Sequence, residues 1–138
     1  MEVKLAVLAD YASVSQQGKL NIMGVFTDIN PPKLPFAMPT MFVVTQFQAQ
    51  PVEVGQQKAV RVVLGDSEAK EMLAMEQSLT VPAPQRPGFP IQINTMICLN
   101  MVVFQKADSY RFDIMINGEP KAQVDLRVNE PPKSQEAE

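Results

Sequence analysis

The feature that most constrains the fold is an alternation of apolar and polar residues with a period of two, which recurs in strand-length segments along the chain. Side chains of a β-strand point alternately to its two faces, so this period is typical of strands with one buried face. Clusters of Gly, Pro and Asn separate the segments. The pattern predicts an all-β fold, a two-sheet antiparallel β-sandwich of about seven or eight strands.

The N-terminal half contains three predicted strands. The first predicted strand precedes the turn Gln16-Gln17-Gly18. A second strand from Leu20 to about Ile29 follows this turn, so the two strands should pair. The segment from Thr40 to Ala49 has apolar side chains on both faces, which predicts a central strand that is buried on both sides. In the first strand, one face should carry Val3, Leu5, Val7, Ala9 and Tyr11.

A hairpin is predicted around Asn117-Gly118, a dipeptide typical of tight turns. A two-residue loop with an unbroken register would place Phe112 opposite Gln123 and mix apolar with polar side chains on one face. We therefore predict a loop of odd length, with Gly118 in the left-handed conformation, that sets Phe112 beside Ala122 or Val124.

The segment from residue 67 to residue 79 can be interpreted as a helix or as a strand. Its residues are mostly good helix formers, and Asp66 or Ser67 could cap a helix. A strand would instead place apolar residues on one face and would protect the edge of the preceding strand at Val60 to Leu64. We favour the strand, whose apolar face would carry Leu73, Met75, Leu79 and Val81, interrupted by Gln77.

The chain has 138 residues, which suits one domain. We predict a single sandwich domain over residues 1–128. The segment 129–138 contains Pro131 and Pro132 and three Glu against one Lys, so it should be a disordered acidic tail.

Composition excludes several classes of function. Twelve basic and fifteen acidic residues give a net charge of -3, which does not suit a nucleic-acid partner. The chain has no His, which is the commonest acid/base catalyst and a common metal ligand. We therefore predict a non-enzymatic protein without a cofactor or a metal centre such as zinc.

The single cysteine indicates a cellular compartment. Cys98 cannot form a disulfide within the chain, and its neighbours Ile97 and Leu99 predict a buried, inert thiol in a strand. A reduced thiol fits the cytoplasm. The sequence contains no run of about eighteen successive apolar residues, so no membrane-spanning segment is predicted.

Two sets of polar residues could bind a ligand or could have structural roles only. Asp10, Tyr11 and Asn21 on the first two strands form a possible polar ligand group, or else they make ordinary structural hydrogen bonds. Three separate acids offer oxygen ligands for Ca²⁺, but they also fit solvated turns. These acids are Asp66, Glu68 and Asp108.

Two proline-rich loops, around residues 31–39 and 82–90, carry large apolar side chains. Such loops either close the ends of a sandwich or stay exposed as a protein contact. The possible contact residues are Leu34, Phe36, Met38 and Phe89. We therefore expect a non-catalytic protein-interaction or scaffold module that binds a protein partner or self-associates. The alternative is a sandwich that binds a small ligand or Ca²⁺.

The first strand pair carries a characteristic run, Leu8-Ala9-Asp10-Tyr11-Ala12 and then Gly18-Lys19-Leu20-Asn21-Ile22-Met23-Gly24-Val25-Phe26. The chain resembles an uncharacterised bacterial family of small single-domain β-proteins in this run and over most of its length. The resemblance implies an immunoglobulin-like or related Greek-key sandwich, and it implies no catalytic residues.

Overall fold

The computed structural model describes residues 1–132, which form nine strands in two sheets. The four-stranded sheet has the order β2-β1-β4-β7 and the five-stranded sheet the order β3-β9-β8-β5-β6. All neighbours pair antiparallel except β3 and β9. The strands are β1 (Glu2–Val14), β2 (Leu20–Phe26), β3 (Asp28–Ile29), β4 (Phe36–Ala49), β5 (Gln57–Gly65), β6 (Glu71–Thr80), β7 (Ile91–Phe104), β8 (Asp108–Ile116) and β9 (Glu119–Val128).

The all-β sandwich is confirmed, with one or two strands more than the pattern predicts. The predicted second strand from Leu20 to about Ile29 is wrong at its end, because β2 stops at Phe26 and Asp28–Ile29 form β3, which crosses to the other sheet and pairs with β9. Predicted disorder in residues 133–138 lies outside the described residues. Asn129, which begins the predicted tail, donates its backbone N–H to the carbonyl of Ile29 at 3.0 Å. Within residues 1–132, no helix is long and apolar enough to span a bilayer.

One hydrophobic core lies between the two sheets. Burial of these large side chains supplies most of the favourable free energy of folding. The largest fully buried side chains are Phe47, Phe104, Phe112, Leu8, Met41, Leu64, Ile114 and Leu126.

Strand β4 is central, between β1 and β7, and it is buried on both faces as predicted. Val43 faces the core and is 1% exposed, whereas its neighbour Val44 faces away from the core and is 0% exposed. Phe42 shares the outward face with Val44 and packs against it in a second, smaller apolar cluster. The sandwich core therefore does not include Phe42.

The prediction that one face of β1 carries all five apolar residues is wrong for Val3. Val3 pairs with Phe47, but Leu5 pairs with Gln46, so Lys4 is the extra residue of a β-bulge. The bulge places Val3 on the core side and Leu5 on the outward side. From there the outward face of β1 carries Leu5, Val7, Ala9 and Tyr11, while Ala6 and Leu8 face the core.

The hairpin loop between β8 and β9 has two residues, so the predicted odd loop is wrong. Asn117 and Gly118 both have positive φ, 51° and 81°, as a type I′ turn requires. The register shifts near Met115, which pairs with Pro120, so a bulge within β9 supplies the odd residue instead. Phe112 consequently lies opposite Val124, one of its two predicted partners.

Strand β6 confirms the strand interpretation of residues 67–79 for all but their first four residues. Asp66 to Lys70 form a turn, in which the Asp66 carboxylate accepts the backbone N–H of Glu68 and of Lys70, both at 2.9 Å. Asp66 thus accepts backbone N–H groups as the N-cap residue of a helix would, but the chain then enters the edge strand β6 and not a helix.

The hairpin of β1 and β2, here called the ribbon, covers the outward face of the four-stranded sheet. Beyond Ala9, β1 no longer pairs with β4. The amide of Asn94 on β7 donates to the carbonyl of Gly18 at the tip of the ribbon, at 3.3 Å. Beneath the ribbon, the second apolar cluster contains Ala9, Ala12, Val44, Val7, Leu20, Ile22, Phe42 and Met96.

Gly24 permits this course of the ribbon. Its φ is +72°, a conformation that costs other residues free energy. A Cβ at this position would also collide with the carboxylate of Asp10 on the neighbouring strand. The two observations explain a glycine in the middle of β2.

Candidate functional site

The structure separates the four apolar residues of the proline loops. The prediction of a loop over residues 31–39 is wrong for Phe36 and Met38, because β4 begins at Phe36. Both residues and Leu34 are partly buried against the main core. Phe36 pairs with Phe104 at one end of β7, whereas Phe89 precedes the other end of that strand. The two ends lie about 40 Å apart in an extended strand of this length. Phe89 is 54% exposed beneath the guanidinium of Arg86.

The predicted polar ligand group is not brought together. Asp10 and Tyr11 are successive strand residues, so their side chains point to opposite faces. Asp10 lies against Gly24, while the Tyr11 ring packs edge-on against Phe42 with centroids 5.5 Å apart. Asn21 pairs with Ser13 nearer the tip of the ribbon, and its amide is 3.5 Å from the carbonyl of Lys19.

The prediction that Cys98 is buried is wrong. The thiol is exposed, on the outward face of the edge strand β7. Its neighbours Ile97 and Leu99 both face the core, so the period of two places Cys98 on the opposite face. The nearest polar contact is with the Asn100 side chain, whose Oδ1 lies 3.8 Å from Sγ.

Two of the three predicted calcium-ligand acids are engaged in the turn between β5 and β6. Asp108 accepts a hydrogen bond from the hydroxyl of Ser67 at 2.9 Å, and the pKa of Asp108 is lowered chiefly by this bond. Asp66 accepts the two backbone bonds described above. In residues 1–132, no three acidic or Cys side chains are grouped as metal ligands.

Next to this turn, a depression of about 450 Å³ is lined by Ser67, Ser109, Arg111 and Arg127, among others. Arg127 donates to the hydroxyl of Ser109 at 2.9 Å. A second depression, of about 650 Å³, lies between the tip of the ribbon and the second proline loop.

Exposed apolar side chains are distributed unevenly between the two sheets. Ten large apolar residues are exposed among residues 1–132, and six of them lie on the four-stranded sheet. Within residues 1–132, the only exposed large apolar residue on a strand of the five-stranded sheet is Met72. The six are Tyr11, Val14, Met23, Val25, Met101 and Val103.

The edges of the two sheets differ in the same way. Strands β7 and β2, the edges of the four-stranded sheet, contain no charged residue. On the five-stranded sheet, the edge strand β6 carries Glu71 and Glu76, and β3 has two residues. Sequence reasoning did not identify this surface, although the uncharged segments at 20–26 and 91–104 are visible in the sequence.

The comparisons with known proteins concern the whole domain. A model of a family of unknown function, DUF6941, matches residues 4–129, and the chain belongs to that family. The predicted resemblance to an uncharacterised single-domain family is thus confirmed. No curated protein matches the chain.

Proposed function

We propose that this member of DUF6941 is a non-catalytic protein-interaction module and that its contact surface is the four-stranded sheet with its ribbon. The observation that carries the proposal is the concentration of six exposed large apolar residues on this sheet. The four on the ribbon, Tyr11, Val14, Met23 and Val25, lie on adjacent strands, and an exposed apolar patch on a domain is typical of an interaction site.

Three of these residues adjoin one another on the ribbon. Tyr11 pairs directly with Met23, so these two side chains lie on one face, and Val25 follows two residues further along β2, where it pairs with Ala9. Their exposed fractions are 52%, 65% and 57% for Tyr11, Met23 and Val25. Tyr and Met are enriched at the centres of protein interfaces, so the composition of this patch suits a protein partner.

The outward face of the five-stranded sheet has a different character. Arg111 forms an ion pair with Asp113 at 3.1 Å, and Arg61 forms one with Glu71 at 2.9 Å. Such charged, hydrated faces are costly to desolvate, so they are poor centres for a protein interface. This contrast supports the choice of the four-stranded sheet.

A non-catalytic role is favoured by the chemistry of the polar side chains. The chain has no His. The Ser67 hydroxyl donates to Asp108, whose lowered pKa makes it a poor general base. An activated nucleophile needs a base that accepts its proton at neutral pH, and this pair does not supply one.

Site-specific photo-crosslinking in cells of the source organism tests the proposal. A benzophenone amino acid at Tyr11 or at Met23 should give discrete crosslinked proteins, identified by mass spectrometry, because these side chains would lie in the interface. The same amino acid at Met72, which is 37% exposed on the other sheet, is the matched control. Adducts from Met72 in equal number, or no adducts from Tyr11 and Met23, would contradict the proposal.

The small-ligand alternative is favoured by one feature, the depression beside Arg111 and Arg127. The lining also carries the carboxylates of Asp66 and Asp125, so the depression suits a small polar ligand whose anionic group binds the two guanidinium groups and whose donors bind the carboxylates. In that case a panel of phosphate and carboxylate compounds and Ca²⁺ should contain one that raises the melting temperature, and Arg127→Ala should abolish the rise. A flat panel for the wild type would count against this alternative.

A further inference from the structure

We infer that two copies of this chain pair antiparallel through β7 and join their four-stranded sheets into one sheet of eight strands. This inference goes beyond the proposed function: it concerns self-association through one edge of the four-stranded sheet, whereas the proposed partner contacts the ribbon.

The outer edge of β7 is available for pairing. The strand lies at the end of the four-stranded sheet and, within residues 1–132, pairs with β4 alone. Every second residue of an edge strand directs its N–H and C=O away from the sheet. These groups can be satisfied by water or by another strand.

Up to Asn100 the strand lacks the devices that protect other edges, and only at Met101, whose φ is 57°, is its backbone irregular. Its fourteen residues, Ile91–Phe104, include no charged residue, no Pro and no Gly. By contrast, β6 carries Glu71 and Glu76. Proteins commonly place charges or prolines on edge strands to prevent pairing with other chains, so an uncharged edge of this length indicates that pairing is tolerated or used.

The strand is also complementary to itself. Its outward side chains in the middle are Asn94, Met96, Cys98 and Asn100, an order that is symmetric in chemistry about Ile97. A two-fold axis at Ile97 would place Asn94 opposite Asn100 of the second copy and Met96 opposite Cys98. No like charges would face each other.

The two asparagines have hydrogen-bonding capacity for this arrangement. Asn100 accepts a hydrogen bond from the hydroxyl of Thr40 at 3.2 Å through its Oδ1, which leaves its amide N–H groups as donors. Asn94 accepts a hydrogen bond from Gln46 at 3.0 Å through its Oδ1, which has a second lone pair. The amide of Asn100 can therefore donate to Asn94 of the second copy.

The same pairing continues the core. Because each residue faces a residue of the same parity, the core side of β7 stays on one side of the joined sheet. Ile93 and Ile97 pack only partly buried against the main core in one copy. The second copy would cover their remaining exposed surface, which adds hydrophobic stabilisation to the backbone hydrogen bonds.

Light scattering coupled to gel filtration, under reducing conditions, tests the inference. The wild type should have twice the chain mass of 15.3 kDa. Cys98→Lys should raise the dimer dissociation constant at least about tenfold, because two like charges then lie close to the two-fold axis. The side chain of Cys98 is exposed, so the substitution should not unfold the domain.

Two controls locate the interface. Met72→Lys adds the same charge to an exposed site on β6, the edge strand of the other sheet, and should leave the dimer intact. Mixing the Cys98→Lys and Cys98→Glu variants should restore a dimer that contains one copy of each.

The register has its own test. On oxidation, the thiol introduced by Met96→Cys should form a disulfide with Cys98 of the second copy, whereas a thiol introduced by Gln92→Cys should not. Crosslinking of the Gln92 variant in preference to the Met96 variant would overturn the register.

The remaining outcomes separate this inference from the proposed function. A wild type that stays monomeric up to a chain concentration of about 1 mM would overturn the β7 dimer, while crosslinks from Tyr11 and Met23 to a different protein would still support an interaction module. A dimer that is lost in Met23→Lys and kept in Cys98→Lys would also overturn the inference, because it would place self-association on the ribbon.

Discussion

Val44→Asp should lower the free energy of unfolding by about 3 to 5 kcal/mol, because it puts a carboxylate where no water reaches. Val44 faces away from the core, yet it is 0% exposed because the ribbon covers it. An ionised side chain there must lose its hydration or displace the ribbon. Chemical denaturation followed by circular dichroism measures the loss.

Val63→Asp is the matched control. Val63 is a valine on β5, which is interior to its own sheet, and it also faces away from the core. No ribbon covers that sheet among the described residues, and Val63 is only half-buried. Its substitution should cost about 1 to 2 kcal/mol, including the repulsion from Asp113, which lies directly opposite on β8. Equal losses for the two variants would show that the ribbon does not seal the outward face of the four-stranded sheet.

The alternation in the sequence predicted the strands because it reports which residues share a face. It failed where a bulge inserts one residue, as at Lys4 and within β9. A bulge reverses the parity of every later residue in the strand. When the extra residue is polar, as Lys4 is, the sequence still alternates between apolar and polar residues, so the bulge cannot be seen in the pattern. The shared face of Phe112 and Val124 requires one extra residue in the hairpin, but parity does not distinguish a residue in the loop from a bulge in β9.

The candidate surface was harder to predict, because alternation cannot say what lies over a strand face. The outward position of Cys98 follows from its parity with Ile97 and Leu99, whereas the apolar character of these neighbours indicates burial, so the two signals disagree at this residue. The burial of Val44 depends on the course of the ribbon. That course depends on Gly24 and on contacts between residues far apart in the sequence.

A buried ion cluster at one end of the sandwich illustrates the same limit. Glu53 follows β4 in a short 3-10 turn, and its Oε2 binds the amino group of Met1 at 2.8 Å and Nζ of Lys58 at 2.9 Å. The backbone N–H of Gln50 donates to its Oε1 at 2.9 Å. No local pattern relates Met1 to Glu53, so the sequence alone does not predict the cluster.

The bond from Gln50 and those from the two cations lower the pKa of Glu53 to about 2, from 4.5. The folded protein therefore binds fewer protons than the unfolded chain between these pH values, and the stabilisation by Glu53 is lost as pH falls from about 4.5 to about 2. Glu53→Gln should lower the free energy of unfolding by about 2 kcal/mol at pH 7 and flatten its decline in acid, because two cations lose their shared carboxylate. Urea denaturation at pH 7, 5, 4 and 3 measures both effects, with Glu68→Gln, at an exposed turn position, as the control. If the two variants decline alike between pH 5 and pH 3, Glu53 does not hold a carboxylate of lowered pKa.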